Sequence, residues 1–531
     1  MKIPLPPAAP EILASLALPF GVTPDPENTI EIPLESPWAD VADIEAFIDQ
    51  FYPASSIYEV RVQRVQSLGV ARLVSAHLDY RSNMAVNPFH NTANYQALYL
   101  LDDILRGKQS VVYRDGRIDQ IATDAAADAR ALIAADWREW LWSDLQRCQK
   151  YLDLYWKYYQ LLQPAQPQEV DTNDCRLGPR PEQVRAAGLL SAGNRLLAAE
   201  VGFGKTLSVA IALQQGQWKK AIVVTSAGLV HSTLEEFRKA YPDFKGMVLS
   251  PSTVGDRTQI KNALIAFGRR KEGVVIMSHQ AFRDCIPVHP VAEIAALEDE
   301  ANLVRAALAE HDDFIQGNPY LSVPKWRLLD NLRKRLRGLE ERVEKLRSQS
   351  VPRRCLTALG VDVVIADESD VYKNLAVRCR REITGIPTTG SALAADMYLK
   401  AIELHRTGGI LGFLSGSWPD NSLAELWTAA LYHDRDSLKA LGLHMFDAWI
   451  GAFASVSQTR ETDVSGNSCI RWRVREFLNF QLLLALKRFV CWGVAPVQGD
   501  RPQIYRVVIP CEGTPRQRDF LSSLSNKERV E

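Results

Sequence analysis

Five short apolar runs, NRLLAAE from Asn194, KAIVVTS from Lys220, EGVVIMS from Glu272, VDVVIAD from Val361 and GILGFLS from Gly409, alternate with longer stretches of helical periodicity. Runs this short, apolar without polar alternation, suit strands buried on both faces, as in a parallel sheet covered by helices. An α/β domain over residues 175–430 follows, with a parallel sheet and helices on both faces. At 531 residues, 47% hydrophobic and 24% charged, the chain can bury several cores and should form more than one domain. Its formal net charge of −1 gives no global attraction to a polyanion, although a local basic face stays possible.

Composition divides the rest. Residues 1–40 are proline-rich and are expected to be irregular; residues 41–163 read as a mainly helical domain. That domain ends in WREWLWSDLQRCQKYLDLYWKYYQLLQ, whose crowded tryptophans and tyrosines read as core, with a base-stacking platform as the alternative. Residues 164–181 form a polar, proline-containing linker. Between EGVVIMS and VDVVIAD, apolar residues recur in 3,4 alternation from Ile294 to Leu308 and from Leu329 to Leu346. This seven-residue repeat predicts an antiparallel helical hairpin over 291–350, inserted in the lobe and joined through QGNPYLSVP, either self-packed or touching a partner or DNA. The eight cysteines are scattered with no C-x-x-C pair, the N-terminus lacks a cleavable apolar core, and no run reaches about 18 apolar residues. A cytoplasmic protein without a membrane span is expected.

Two stretches carry candidate chemistry. AAEVGFGKTLS (198–208) places a strand, a glycine turn and a helix in the order of a phosphate-binding loop. Gly202 and Gly204 let the backbone curl its N–H groups inward, Lys205 would reach the β- and γ-phosphates of ATP, and the Thr206 hydroxyl would ligate Mg²⁺. VDVVIADESDVYKN (361–374) delivers Asp367 and Glu368 to the carboxyl end of a buried strand. There Asp367 would hold Mg²⁺ through water and Glu368 would orient and deprotonate the attacking water. A third stretch, GILGFLSGSWPDNSLAELW (409–427), offers Ser415, Gly416 and Ser417 at a strand end as a loop that could sense the γ-phosphate.

In order and spacing these segments resemble the first motor lobe of superfamily 2 helicases of the Swi/Snf type, a RecA-like P-loop lobe. RPEQ, ending in Gln183, is similar to the adenine-reading glutamine motif, and AEVGFGKT to motif I, whose Swi/Snf version often lacks the first glycine, so Ala199 fits. AIVVTSAGLVHSTLEEF is similar to motif Ia, VVIMSHQAF to motif Ib, DESD to motif II and SGSWPDNSLAELW to motif III. A closer resemblance, over roughly residues 110–531, is to the helicase half of large bacterial, phage and plasmid proteins that join an adenine-specific DNA methyltransferase to such a helicase. It implies ATP and Mg²⁺ as cofactors, and DNA held mainly through its phosphates by Ser226, Ser278 and His279, although those polar groups could equally cap helices. It also implies a role in DNA modification or anti-restriction.

The sequence departs from that pattern at three points. Asp370 stands where motif II usually ends in histidine, and Trp418 displaces the motif III proline to Pro419. About 100 residues follow motif III, fewer than the roughly 150 of a second lobe, and no arginine-bearing motif VI is found. The chain is therefore expected to hold the first lobe, followed by an extension at 431–531, and to hydrolyse ATP poorly by itself. A separately encoded second lobe or methyltransferase would be its partner. VNPFH (86–90) resembles a flipped-adenine loop, but its single Pro88 and the lack of a glycine-rich cofactor loop make it a proline turn. The rival reading is a degenerate lobe that holds ATP or DNA as a scaffold.

Overall fold

Strands form at all five apolar runs, because each run puts alternate side chains into two separate cores. In the computed structural model these strands are β1 (Arg195–Ala199), β2 (Lys220–Thr225), β4 (Gly273–Ser278), β5 (Val363–Ala366) and β6 (Ile410–Ser415). Two edge strands, β3 (Gly246–Val248) and β7 (Val490–Gly493), complete a seven-stranded sheet of order β7-β1-β6-β5-β2-β4-β3. Every pair is parallel. The structure describes residues 2–493 apart from 19–22, 53–59, 66–68, 75–89, 91, 94–95, 109, 116, 163–165, 217, 317–325, 378, 380–382, 384–385, 388, 419–424, 463–467, 480–481 and 485–488. Most of VNPFH, the hairpin tip and Pro419, together with residues 494–531 of the extension, thus fall outside the described residues.

The two-core arrangement is visible within single strands. Ile222 and Val224 join one core and Ala221 and Val223 the other; Val364 and Ala366 likewise oppose Val363 and Ile365. Helices α1 (Pro181–Ala192), α2 (Lys205–Gln215) and α3 (Val230–Ala240) cover the second core through Ala186, Val209 and Leu234. Helices α4 (His279–Cys285), α7 (Ala392–Arg406) and α8 (Glu425–His433) cover the first through Phe282, Met397 and Trp427. The result is the α/β lobe, a parallel sheet with helices on both faces, that the apolar runs call for, and it fits the RecA-like lobe that the resemblance implies. Because all seven strands point the same way, their carboxyl ends and the loops that follow lie along one edge.

The hairpin insertion is α5 (Pro290–Gln316) and α6 (Trp326–Arg347). Ala301, Val304, Leu329, Val343 and Leu346 are buried along it. Its helices run antiparallel, since Glu293 pairs with Arg342 while Glu300 pairs with Arg335 at 2.7 Å. Exposed pairs of this kind contribute about 0–1 kcal/mol each, so the apolar seam carries the stability and the charges set the register. At the lobe end, Asp299 of α5 takes Arg435 and, at 3.0 Å, Lys439.

Before the lobe, helices at Val41–Phe51, Ala97–Leu105, Gln120–Trp142 and Leu145–Leu161 supply most of the structure. Trp137, Trp140, Trp142, Tyr151 and Tyr155 are buried. Trp137 stacks on Trp140 at 5.5 Å, and its Nε1 donates to the Ile32 carbonyl at 2.7 Å. The aromatic stripe is therefore core. Residues 1–40, expected to be irregular, contain a parallel pair of strands at Lys2–Leu5 and Thr23–Thr29. Prolines are tolerated there because a two-stranded pair leaves each strand an outer edge where no N–H is needed. Among the described residues no helix is long and apolar enough to cross a membrane.

His433 is buried in the lobe and His405 half-buried. His433 packs edge-on to Phe413 at 4.8 Å and is fixed at Nδ1 by the Ala429 carbonyl at 2.9 Å. Burial pushes its pKa down to about 3, and that of His405 down to about 4. Unfolded, both titrate near about 6.5. Below that pH the unfolded chain binds protons that the folded chain refuses. The stability they contribute is thus full above about pH 6.5 and is lost on acidification, by about 1.4 kcal/mol per pH unit for each histidine. In His433→Gln, the slope of unfolding free energy against pH from about 6 to 4.5 should fall by about one proton. Urea titrations giving identical slopes for the two proteins would refute this.

Candidate functional site

The loop from Glu200 to Gly204 leaves β1, whose five residues are all buried, and enters α2. Two glycines make the turn: Gly202 has φ +88° and Gly204 φ +84°, a region costly for residues with a Cβ. Gly204 is also closed in by its neighbour, since a Cβ there would lie 2.2 Å from Gln183 Nε2. Gln183, only 4% exposed, accepts at Oε1 from the Arg180 N–H at 2.9 Å and donates from Nε2 to the Phe203 carbonyl at 2.8 Å. The Arg180 guanidinium donates to the same carbonyl. The amide thus ties α1 to the loop, with one of its N–H groups and one of its lone pairs not used in these two bonds. Gly204→Ala should cost roughly 1–2 kcal/mol of stability and displace Gln183. Urea unfolding of the variant checks this, and an unchanged midpoint would refute it.

Lys205, the first residue of α2, turns its Nζ back into the loop, donating to the carbonyls of Ala199 at 2.7 Å and Glu200 at 3.4 Å. Burial lowers its pKa, and the charge of Asp367 opposes that shift. Thr206 follows, half-buried, in the first helical turn. There the leading N–H groups lack intrahelical acceptors and the helix dipole favours an anion.

Asp367 emerges from β5, whose residues are fully buried, and its N–H donates to the Val224 carbonyl at 2.8 Å. Burial raises its carboxyl pKa, while the Glu368 N–H, donating to Oδ1 at 3.0 Å, and the Lys205 charge lower it. Glu368 is exposed and left-handed, with φ +50° and ψ +46°. A non-glycine residue in that region stores strain that its surroundings must enforce, and Ser369 does so by donating its Oγ to the Leu414 carbonyl of β6 at 2.9 Å. The Glu368 carboxylate makes no hydrogen bond with the described residues, whereas its N–H is used.

Register brings these groups together. β6 lies between β1 and β5, with Phe413 opposite both Leu196 and Ala366. Two strand spacings, about 10 Å, separate the loop from the acid pair. The turn after β6 stands in the gap: a Cβ on Gly416 would lie 3.7 Å from both Lys205 Nζ and the Ala199 carbonyl. Ser415, 1% exposed, accepts at Oγ from the Ser417 N–H at 3.1 Å, and Gly416 and Ser417 are exposed. Lys205, Thr206, Asp367, Glu368 and the Ser415–Ser417 turn therefore share one edge of the sheet, with Gln183 bound to the loop from the side.

The residues expected at DNA stand farther along that edge, at the tips of β2 and β4. Ser226 is half-buried and its carbonyl accepts from the Leu229 N–H at 2.9 Å. Ser278 caps α4, its Oγ accepting from the Ala281 N–H at 3.2 Å. His279 turns inward instead; it is 9% exposed, with Nδ1 2.7 Å from the Tyr372 hydroxyl. Tyr372 stacks on Phe413 at 5.5 Å, and its carbonyl accepts from the Tyr432 hydroxyl at 3.1 Å. Sequence reasoning missed this aromatic column beneath the acid pair, and it missed the role of Ser369; the only signal was DESDVY, in which Tyr372 follows the acids by one helical turn.

Residues 189–488 match a family described as a probable helicase domain. Residues 33–160 match a domain of unknown function (DUF8437). No curated protein matches the chain. Among solved structures, the Sulfolobus solfataricus SWI2/SNF2 ATPase core in complex with dsDNA is similar over 62% of this chain, with 12% identity and a TM-score of 0.31. The match spans 47% of the length of that structure's chain.

Proposed function

Since the chain belongs to the probable helicase domain family, we propose that it is a DNA-dependent ATPase of the Swi/Snf type, acting as the first motor lobe of a helicase or translocase. One observation supports this most: the Lys205 ammonium sits inside a glycine turn, beside Gly416, and under the charge of Asp367. A cationic centre at the start of a helix, with a carboxylate across the cleft, fits a triphosphate and its metal. The cofactors are then ATP and Mg²⁺, the metal neutralising phosphate charge when bound, with Thr206 and Asp367 as the residues that would hold it.

The chain's own groups divide the work. Gln183 offers its remaining amide valences to adenine, and the Gly202–Thr206 backbone with Lys205 cradles the phosphates. Glu368, exposed and with a carboxylate that makes no hydrogen bond to the described residues, orients the attacking water and accepts its proton. Ser415, Gly416 and Ser417 report the γ-phosphate to the rest of the lobe. Ser226 and Ser278 meet DNA through phosphates, so that binding carries little sequence readout. We further read the protein as part of a DNA modification or anti-restriction system, in the cytoplasm, working with a second lobe or a methyltransferase. Without an arginine from a second lobe, an effect worth about 10³ to 10⁵ in related phosphoryl transfers, turnover by this chain should be slow.

Measuring ATP hydrolysis with and without double-stranded DNA tests the reading. Slow turnover that DNA accelerates is the expected result. Tight ATP binding with no hydrolysis under either condition would instead favour a scaffold, a reading to which Asp370 at the end of DESD lends support.

A further inference from the structure

We propose that Arg257 and Arg283 form a clamp for a DNA phosphate on the outer face of α4, and that Asp284, which now holds both guanidiniums, is the anion that the phosphate displaces. This rests on the reading of the β2–β4 edge as the one that meets DNA.

The face is built by α4. Phe282 and Cys285 are buried in the core, and the buried Lys400 of α7 pins the helix from that side, donating to the Phe282 carbonyl at 2.9 Å and to Asp396 at 2.7 Å. Gln280, Arg283 and Asp284 are left on the opposite side of the helix. The helix Arg257–Gly268, which starts shortly after β3 ends, packs beside α4 and brings Arg257 to the same face.

These groups meet at one carboxylate. Arg257 reaches Asp284 Oδ2 at 2.9 Å, the Arg283 Nε donates to Oδ1 at 3.0 Å, and the Gln280 amide donates to Oδ2 at 2.8 Å. The Asp284 side chain is 15% exposed, whereas Arg257 keeps 67% of its side chain in solvent and Arg283 34%. Hydrogen bonds from Gln280 and Arg283, together with the Arg257 charge, lower the Asp284 pKa, so the carboxylate is ionised at neutral pH.

Two cations thus share one anion, an excess of one positive charge. Other carboxylates close by are engaged: Asp396 with Lys400, and Asp256 with the Gln259 N–H at 2.9 Å, where it caps the helix that carries Arg257. Arg257 meets Asp284 through a single nitrogen, Nη2, which leaves most of an exposed guanidinium fork to a second acceptor. Exposed ion pairs of this kind are weak in water, so a phosphate diester can take the place of the carboxylate.

The place of the pair in the chain suits a duplex. Arg283 stands five residues beyond Ser278 on the same helix, about 7.5 Å along its axis. One DNA strand carries about two phosphates over that length, so a strand held at Ser278 brings a neighbouring phosphate to the arginines. Such a contact adds affinity and fixes register without reading sequence.

Binding of the full chain to a fluorescent double-stranded DNA, titrated over a range of salt, tests the proposal in five proteins: wild type, Arg257→Ala, Arg283→Ala, Asp284→Asn and Glu272→Gln. Each arginine variant should bind about 3- to 10-fold more weakly and lower the slope of log affinity against log salt by about 0.9, the value for one lost phosphate contact. Asp284→Asn should bind about 3- to 10-fold more tightly, since the competing carboxylate is gone while both guanidiniums remain. A gain of affinity cannot come from a damaged fold. Glu272→Gln makes the same change in net charge at the far end of β4, where Glu272 pairs with Lys245 at 2.6 Å. That position is about 20 Å along the strand from Ser278, beyond the Debye length of about 8 Å, and the variant should stay within about twofold of wild type. Equal tightening in Asp284→Asn and Glu272→Gln, an Asp284→Asn that binds no better than wild type, or arginine variants with wild-type affinity and slope would each overturn the inference and leave DNA binding by the edge standing. A wild type that binds no double-stranded DNA would overturn that reading itself.

Discussion

Lys205→Ala should abolish measurable ATP turnover, with a fall of at least about 100-fold, and should weaken ATP binding at the same time. The ammonium is seated in the turn, held there by the carbonyls of Ala199 and Glu200. Those carbonyls are poor substitutes for phosphate oxygens, which carry full charge and form stronger hydrogen bonds. Binding ATP thus exchanges weak contacts for strong ones, and alanine removes both. Burial already disfavours the charged lysine, so its cost is recovered only when an anion arrives. The fold should survive, because the side chain contributes no apolar core contact, and equal unfolding midpoints with unequal ATP affinity would separate the two effects. Turnover within about threefold of wild type would remove the enzymatic reading.

Glu368→Gln should behave differently. Hydrolysis should drop by about 10² to 10⁴, the range for losing a general base, while ATP affinity holds or rises because a negative charge near the γ-phosphate is gone. The side chain is exposed and makes no hydrogen bond to the described residues, so no structural debt follows its change. Its backbone is already left-handed, and glutamine meets the same strain as glutamate there. Rapid-quench kinetics with pre-bound ATP separate the outcomes. A parallel loss of affinity and rate would mean that Glu368 binds nucleotide rather than activating water.

Much of this site was legible because its chemistry is local. The glycines, lysine and threonine of the loop occupy five consecutive residues, and the acid pair directly follows a run of buried apolar residues. What the sequence hid was long-range. Nothing in it states that β6 inserts between β1 and β5, an order fixed by register and burial across more than 200 residues. The edge strands were invisible for another reason: Gly246–Val248 is three half-buried residues, too short for a pattern to emerge. The antiparallel pairs Arg61–Val65 with Val70–Val74, and Ala454–Thr462 with Ser468–Phe477, were passed over because helical periodicity and the motifs dominated the segments around them. The inward turn of His279 was equally unreadable. A polar residue after a strand is expected at the surface, and only the tyrosine 93 positions later shows why it is not.

The most direct measurement is the affinity of ATP, titrated with and without Mg²⁺, for the wild type and Asp367→Asn. If the lysine turn and the acid pair converge on one pocket for a triphosphate and its metal, Mg²⁺ should tighten binding to the wild type and lose most of that effect in the variant, while metal-free affinity stays the same or improves. An equal response to Mg²⁺ in both proteins would contradict the shared pocket.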